Sequence, residues 1–148
     1  MSVSITRLLE EVSEKKRLEQ ELEIAREVQA TLLPKQLPHP RGLAIYGGCE
    51  PARVVSGDYY DFLVEDEARL HIVCGDISGK GISAALLMAN LQASMRNQLL
   101  TLKQGSENDF GPRLAAMMEQ LNEQIYANSP SAKYVTLFVG RYDAESDL

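Results

Sequence analysis

From residue 3 to residue 33 the chain holds neither Gly nor Pro and is rich in Glu, Lys, Arg and Leu. Leu18, Leu22, Ala25 and Leu32 fall on one stripe built of three- and four-residue steps, while Ile5, Leu8 and Val12 form a second stripe offset in phase, with Lys15 and Lys16 between. This pattern predicts one long amphipathic helix with a heptad-like seam and a stutter. Pro34 ends it, because the proline ring pushes Leu33 out of the helical region. A polar helix with one thin apolar stripe has little reason to be stable alone. Its first half is therefore expected to pair with a second chain, and its last turns, Ala25 to Leu33, to pack on their own domain.

Pro34 to Arg41 is a connector with three prolines. Beyond it, Leu43 to Glu50, Tyr59 to Val64 and Leu70 to Cys74 read as strands, the last two joined by the acidic turn Glu65-Asp66-Glu67. Ile82 to Leu102 reads as a helix, with Leu86, Leu87, Leu91, Met95 and Leu99 as its apolar positions. A loop over Gly105 to Asn108 leads to a second amphipathic helix, Pro112 to Tyr126. Tyr134 to Tyr142 is a strand with little polarity on either face, which predicts burial on both. Strands in a group, then two helices, then a strand suit sheets with packed helices better than alternating βαβ units.

Length sets the organisation: 148 residues allow one domain, 34–148, behind a helical linker, 1–33. A formal net charge of −6 with no basic face disfavours nucleic acid and anionic membranes as partners. Cys49 and Cys74 both lie in apolar stretches, so two buried free thiols are expected. His39 and His71 show no zinc-ligand spacing with either cysteine. The apolar run Ile82 to Leu91 is broken by Ser83 and Asn90 and is too short to span a bilayer, and no signal peptide is visible; the cytoplasm is the default location.

Two segments carry candidate chemistry: Ser56-Gly57-Asp58-Tyr59-Tyr60-Asp61 and Gly75-Asp76-Ile77-Ser78-Gly79-Lys80-Gly81. Each sets an aspartate directly after a glycine at a strand edge. If the two strands are neighbours, Asp58 and Asp76 share one end of the sheet. Converging carboxylates repel unless protonated or neutralised by cations. Hard oxygen ligands suit Mg²⁺ or Mn²⁺, and a pair of such ions can activate water and clamp a phosphoryl group. Asp after Gly serves equally well as a plain turn signal. Ser78 to Gly81 is similar to a phosphate-binding loop without the full Walker spacing, which leaves Lys80 as a solvated charge and Ser78 as a helix N-cap.

Through these segments the sequence resembles the PPM family of metal-dependent protein phosphatases, in its bacterial SpoIIE/RsbU-type branch. The resemblance runs in order through Val28-Gln29-Ala30-Thr31-Leu32-Leu33-Pro34, through Glu50-Pro51-Ala52 and Val55-Ser56-Gly57-Asp58-Tyr59-Tyr60-Asp61, through Gly75 to Gly81 with Ala84-Ala85-Leu86-Leu87-Met88, and through Tyr134 to Gly140. It implies an α/β fold: a PPM phosphatase-like β-sandwich of two sheets flanked by helices, preceded by the long N-terminal helix. It implies hydrolysis of phosphoserine or phosphothreonine by metal-activated water, with no covalent phosphoenzyme. Asp58 and Asp76 match the carboxylate ligands and Ile77 the backbone-carbonyl ligand of a two-metal Mn²⁺ or Mg²⁺ centre; Asp61 would orient metal waters from behind them. The implied substrate is a phosphorylated STAS-type anti-sigma-factor antagonist, in a bacterial sigma-factor or two-component-like pathway, and the implied assembly is a homodimer through the helix. The family's later metal-binding aspartates have no counterpart among Asp143, Glu145 and Asp147. A truncated domain with an incomplete centre and weak or absent turnover is therefore expected. The rival reading is a non-catalytic dimerising signalling module, and a more distant one is a nucleotide protein built on Ser78 to Gly81.

Overall fold

A computed structural model describes residues 2–51, 54–102, 110–129 and 133–146. The elements in chain order are α1 (Ser2–Leu32), β1 (Tyr59–Val64), β2 (Arg69–Ile77), α2 (Ile82–Leu102), α3 (Phe110–Asn128) and β3 (Val135–Asp143). The helices, β1 and β3 fall within about two residues of the limits their periodicity predicts, the usual uncertainty of element ends. The expected Gly105 to Asn108 loop lies outside the described residues.

The strands form one antiparallel sheet in the order β1-β2-β3. The turn from β1 to β2 is set by Asp66, whose Oδ1 accepts the N–H groups of Ala68 and Arg69, each at 2.9 Å, in an Asx-type turn. Its Oδ2 takes Arg69 Nη2 at 2.6 Å. The hydrogen bond from Arg69, then that from the Ala68 amide, holds this exposed carboxyl down at about 2. After β2 the chain goes out along α2, returns along α3 and pairs Val135 with Ile77, so β3 starts at the end where β2 stops and must run antiparallel.

Both helices cover the same face of the sheet. Leu87, Met88, Leu91, Met95 and Leu99 of α2 are buried with Val73 and Ile77 of β2 and Met117, Leu121 and Ile125 of α3, and Leu137 and Val139 of β3 pack against them. Period-two alternation turns the intervening residues to the other face. There Cys74, Asp76 and Thr136 are exposed, and Phe138 is 61% exposed. This corrects three expectations. A second sheet is absent among the described residues, which form a mixed α/β fold with one small antiparallel sheet. In consequence β3 is only half-buried on its helix-facing side, at Val135, Leu137 and Val139, and is exposed at Thr136 and Phe138. Cys74 is exposed for the same reason; Cys49 is half-buried, and both thiols are free.

Leu43 to Glu50 is not a strand. Gly47 and Gly48 weaken it as one, and the backbone lies instead against rings on the outer face. A Cβ at Gly47 would sit 2.7 Å from a ring carbon of Tyr60 and 3.0 Å from one of Phe62. Nearby, Tyr142 Oη donates to the carbonyl of Arg41 at 2.9 Å, tying the connector to β3.

The first half of α1 stands clear of the domain, with Ile5, Leu8, Val12 and Leu18 between 49% and 61% exposed. Contact starts only at its end. Leu32 and Leu33 pack on the core, and Gln92 Nε2 donates to the carbonyl of Leu32 at 3.2 Å. Among the described residues, no helix is long and apolar enough to cross a membrane.

Candidate metal centre

β1 and β2 pair from Tyr59↔Gly75 to Val64↔Leu70. Continuing that register by one step sets Asp58 across from Asp76. Neighbours in sequence fix the direction of each side chain: Tyr59 is 2% exposed and Ile77 1%, so the aspartates beside them face outward, and both are exposed. The backbone of the first corner closes on the second. A Cβ at Gly57 would lie 2.8 Å from the carbonyl oxygen of Ile77 and 3.2 Å from Cβ of Ala84. Only glycine permits that approach, and it brings the Ile77 carbonyl next to the residue that precedes Asp58. The Ser56 hydroxyl donates to Asp58 Oδ2 at 2.8 Å and accepts the Asp58 amide at 3.1 Å.

Asp61 is placed elsewhere. It lies on the helix-facing side of β1 and is fully buried. Arg96 of α2 donates to it through Nε at 2.6 Å and Nη2 at 2.9 Å. The Tyr59 hydroxyl at 3.1 Å and the Phe62 amide at 2.9 Å complete its shell. Burial first, then the charge and hydrogen bond of Asp61, push the Tyr59 phenol above its usual range, against the opposing charge of Arg96. The hydrogen bond to Asp61 in turn raises Arg96. This carboxylate joins β1 to α2, and its oxygens do not face the Asp58–Asp76 corner.

The second loop is held from β3. Ser78 N donates to Tyr134 O, and Tyr134 N to Ser78 Oγ, both at 2.9 Å. Lys133 Nζ donates to the Ser78 carbonyl at 2.9 Å and fills the space a side chain at Gly79 would need. The Ser78 hydroxyl therefore serves β3 and does not cap α2. Gly79 and Gly81 take φ of 98° and 77°, in the left-handed region that favours glycine. Lys80 is exposed. The late acids lie far off. Asp143 pairs with Arg69 at the opposite end of β2, and Glu145 accepts from Arg41 at 2.8 Å. Asp147 lies outside the described residues.

The corner also opens on a cavity of about 150 Å³ between α1 and the Cys49–Pro51 segment, lined in part by Arg26, Gln29, Cys49, Ser56 and Asp58. Burial, then the charge of Asp58, raises the Cys49 thiol. Among the described residues neither Asp58 nor Asp76 is in an ion pair. Two unpaired carboxylates and a carbonyl are donors that fit a hard divalent cation, which takes six or more oxygens, roughly, water included. Among the described residues no group of three or more His, Cys, Asp or Glu side chains gathers to hold a metal ion. Asp58, Asp76 and the Ile77 carbonyl could therefore supply only part of a metal's coordination shell.

An antiparallel sheet with helices on one face and two Gly-Asp corners at one end describes a class of mixed α/β domain, and the comparison with known families says which. The profile of the family described as Stage II sporulation protein E (SpoIIE) matches residues 66–148, more than half of the chain. The chain belongs to that family. It is 32% identical over 128 residues to "Phosphoserine phosphatase RsbU" of Bacillus subtilis, an alignment covering 86% of this chain and 35% of that protein. It is 41% identical over 76 residues to "Protein IcfG" of Synechocystis sp., covering 51% of this chain and 12% of that protein. The chain thus spans about a third of the first relative's length and far less of the second's. The family match includes Asp76 and Ile77 and begins after Asp58.

Proposed function

We propose that this chain carries the N-terminal part of a protein serine/threonine phosphatase domain, with Asp58, Asp76 and the Ile77 carbonyl as ligands of a Mn²⁺ or Mg²⁺ centre. When bound, such ions supply activated water and charge neutralisation for phosphoester hydrolysis. The observation that carries this reading is the β1–β2 register, which ends at Tyr59↔Gly75; continued by one step, it sets two exposed aspartates without ion pairs across from each other, beside a carbonyl that a side chain at Gly57 would crowd. Kinship with a protein named as a phosphoserine phosphatase supports the reaction class. The chain's own residues have definable work. Ser56 orients one oxygen of Asp58, leaving the other free to bind. Lys133 and Tyr134 hold the loop after Asp76. Asp61 and Arg96 anchor β1 so that the corner keeps its place. The substrate class is a phosphoserine- or phosphothreonine-bearing regulatory protein, a phosphorylated STAS-type anti-sigma-factor antagonist by family. The test is phosphate release from such a phosphoprotein in Mn²⁺, for this chain and for a form extended at its C-terminus. Activity of the extended form that survives Asp76→Asn removes the metal mechanism.

One observation favours a second, compatible role. The exposed stripe Ile5, Leu8, Val12 and Leu18 on α1 suits pairing with another copy of the helix. Light scattering decides it: a dimer lost in Leu18→Asp plus Leu22→Asp supports the pairing, and a monomeric wild type at micromolar concentration removes it.

A further inference from the structure

A cavity of about 300 Å³ lies between α3 and the start of β3, on the helix-covered side of the sheet. Three buried core side chains line it, Leu91, Leu121 and Ile125, together with Val135 and Leu137, which are only half-buried. The helices therefore stop short of closing over this end of β3. Apolar surface left in contact with water is a cost that an apolar occupant removes.

The polar part of the lining is one-sided. Among the described residues it holds one charged side chain, Lys133, and neither Asp nor Glu, although acids outnumber bases by 21 to 15 in the chain. Lys133 is in no ion pair among the described residues. Its Nζ donates to the Ser78 carbonyl at 2.9 Å. An ammonium carries three N–H donors, which leaves two beyond the bond to Ser78. Tyr134 lines the cavity as well, and its amide donates to Ser78 Oγ at 2.9 Å. The wall that carries the charge is thus the wall that fastens the loop after Asp76.

Such a cavity selects by both halves of a ligand. Hydrocarbon is drawn to the apolar lining, and the ammonium favours an anionic head through charge-assisted hydrogen bonds. One ammonium balances one carboxylate, whereas a phosphomonoester would bring a second charge with no partner. The volume is at the small end for ligand cavities and suits a molecule of roughly ten non-hydrogen atoms.

We propose that this cavity is a binding site for a small amphipathic carboxylate, with its hydrocarbon chain against Leu121, Ile125 and Leu137 and its head on Lys133. The head group shares Lys133 with the Ser78 carbonyl, so occupancy is felt in the loop after Asp76. The site does not depend on the metal reading of the corner.

The probe is octanoate, titrated into the metal-free chain and followed by ¹H–¹⁵N spectra, with octan-1-ol as its uncharged counterpart. Octanoate gives saturable shifts at Leu121, Ile125, Val135 and Leu137, and Ser78 and Gly79 move along the same curve. Octan-1-ol binds roughly tenfold more weakly, the size of effect a hydrogen bond to a charged group confers. Lys133→Met abolishes that preference: octanoate weakens roughly tenfold and octan-1-ol changes by less than about twofold. Lys133→Arg retains the preference, which separates loss of charge from damage to the loop. Val135→Phe fills the cavity from β3 and weakens both probes. Shifts that fail to saturate, shifts centred away from the cavity, equal binding of the two probes by the wild type, or octanoate binding unchanged in Lys133→Met overturn the proposal.

Discussion

Asp58 and Asp61 stand three positions apart in one motif, on one strand and its approach, and the fold treats them in opposite ways. Asp61 faces the helices, is fully buried and accepts from Arg96, Tyr59 and the Phe62 amide. Asp58 is exposed, one step beyond the Tyr59↔Gly75 pair, and accepts from a serine hydroxyl. One step of strand alternation separates a carboxylate neutralised by its own chain from one that has no ion pair among the described residues. The distinction lies in which neighbours compensate the charge.

The largest effect expected from this comparison follows removal of the cation behind Asp61. Arg96→Met leaves a buried carboxylate unpaired and lowers unfolding free energy by about 3 kcal/mol, near the bottom of the usual range for breaking a buried pair, because the Arg96 side chain is itself 47% exposed. Urea denaturation measures it, and a loss under about 1 kcal/mol would mean that water reaches Asp61. Gly57→Ala comes next. Its methyl group would meet the Ile77 carbonyl at 2.8 Å, so the two corners must part, at about 1–3 kcal/mol and with weaker Mn²⁺ binding. Full retention of both properties would show that the corners are not in contact. Asp58→Asn is expected to change stability by no more than about 0.5 kcal/mol, as an exposed site should. A large loss there would erase the contrast with Asp61.

A third carboxylate sharpens the comparison at small amplitude. Asp66 is exposed like Asp58 but carries its own arginine, and its carboxyl lies at about 2 in place of the ordinary 3.8. A depressed carboxyl contributes stability that is complete above the unfolded value and is lost as pH falls through the folded one. The contribution of Asp66 therefore persists down to pH 3.8 and fades towards about 2. Side-chain ¹³C titration should find its midpoint at the lower value; a midpoint near 3.8 would mean that Arg69 does not hold it in solution.

Much of this arrangement is legible in the sequence because it is local. Helical periodicity marks α2 and α3, and the Gly-Asp pairs mark the corners. What pattern does not disclose depends on partners distant in the chain. The apolar letters of 134–142 suit burial on both faces, but which faces are covered depends on whether another layer is present. Residues 43–50 carry strand-like composition, yet two glycines and a pair of aromatic rings turn them into a strap across the sheet. Asp61 shares a motif with Asp58, and only the register and the distant Arg96 reveal its different task.

Whether the two corners hold a divalent ion between them can be read from anomalous diffraction by crystals of this chain grown with Mn²⁺. A manganese peak is expected within coordination distance of carboxylate oxygens of both Asp58 and Asp76, and none at Asp61. Peaks elsewhere on the surface with nothing at this corner would contradict it.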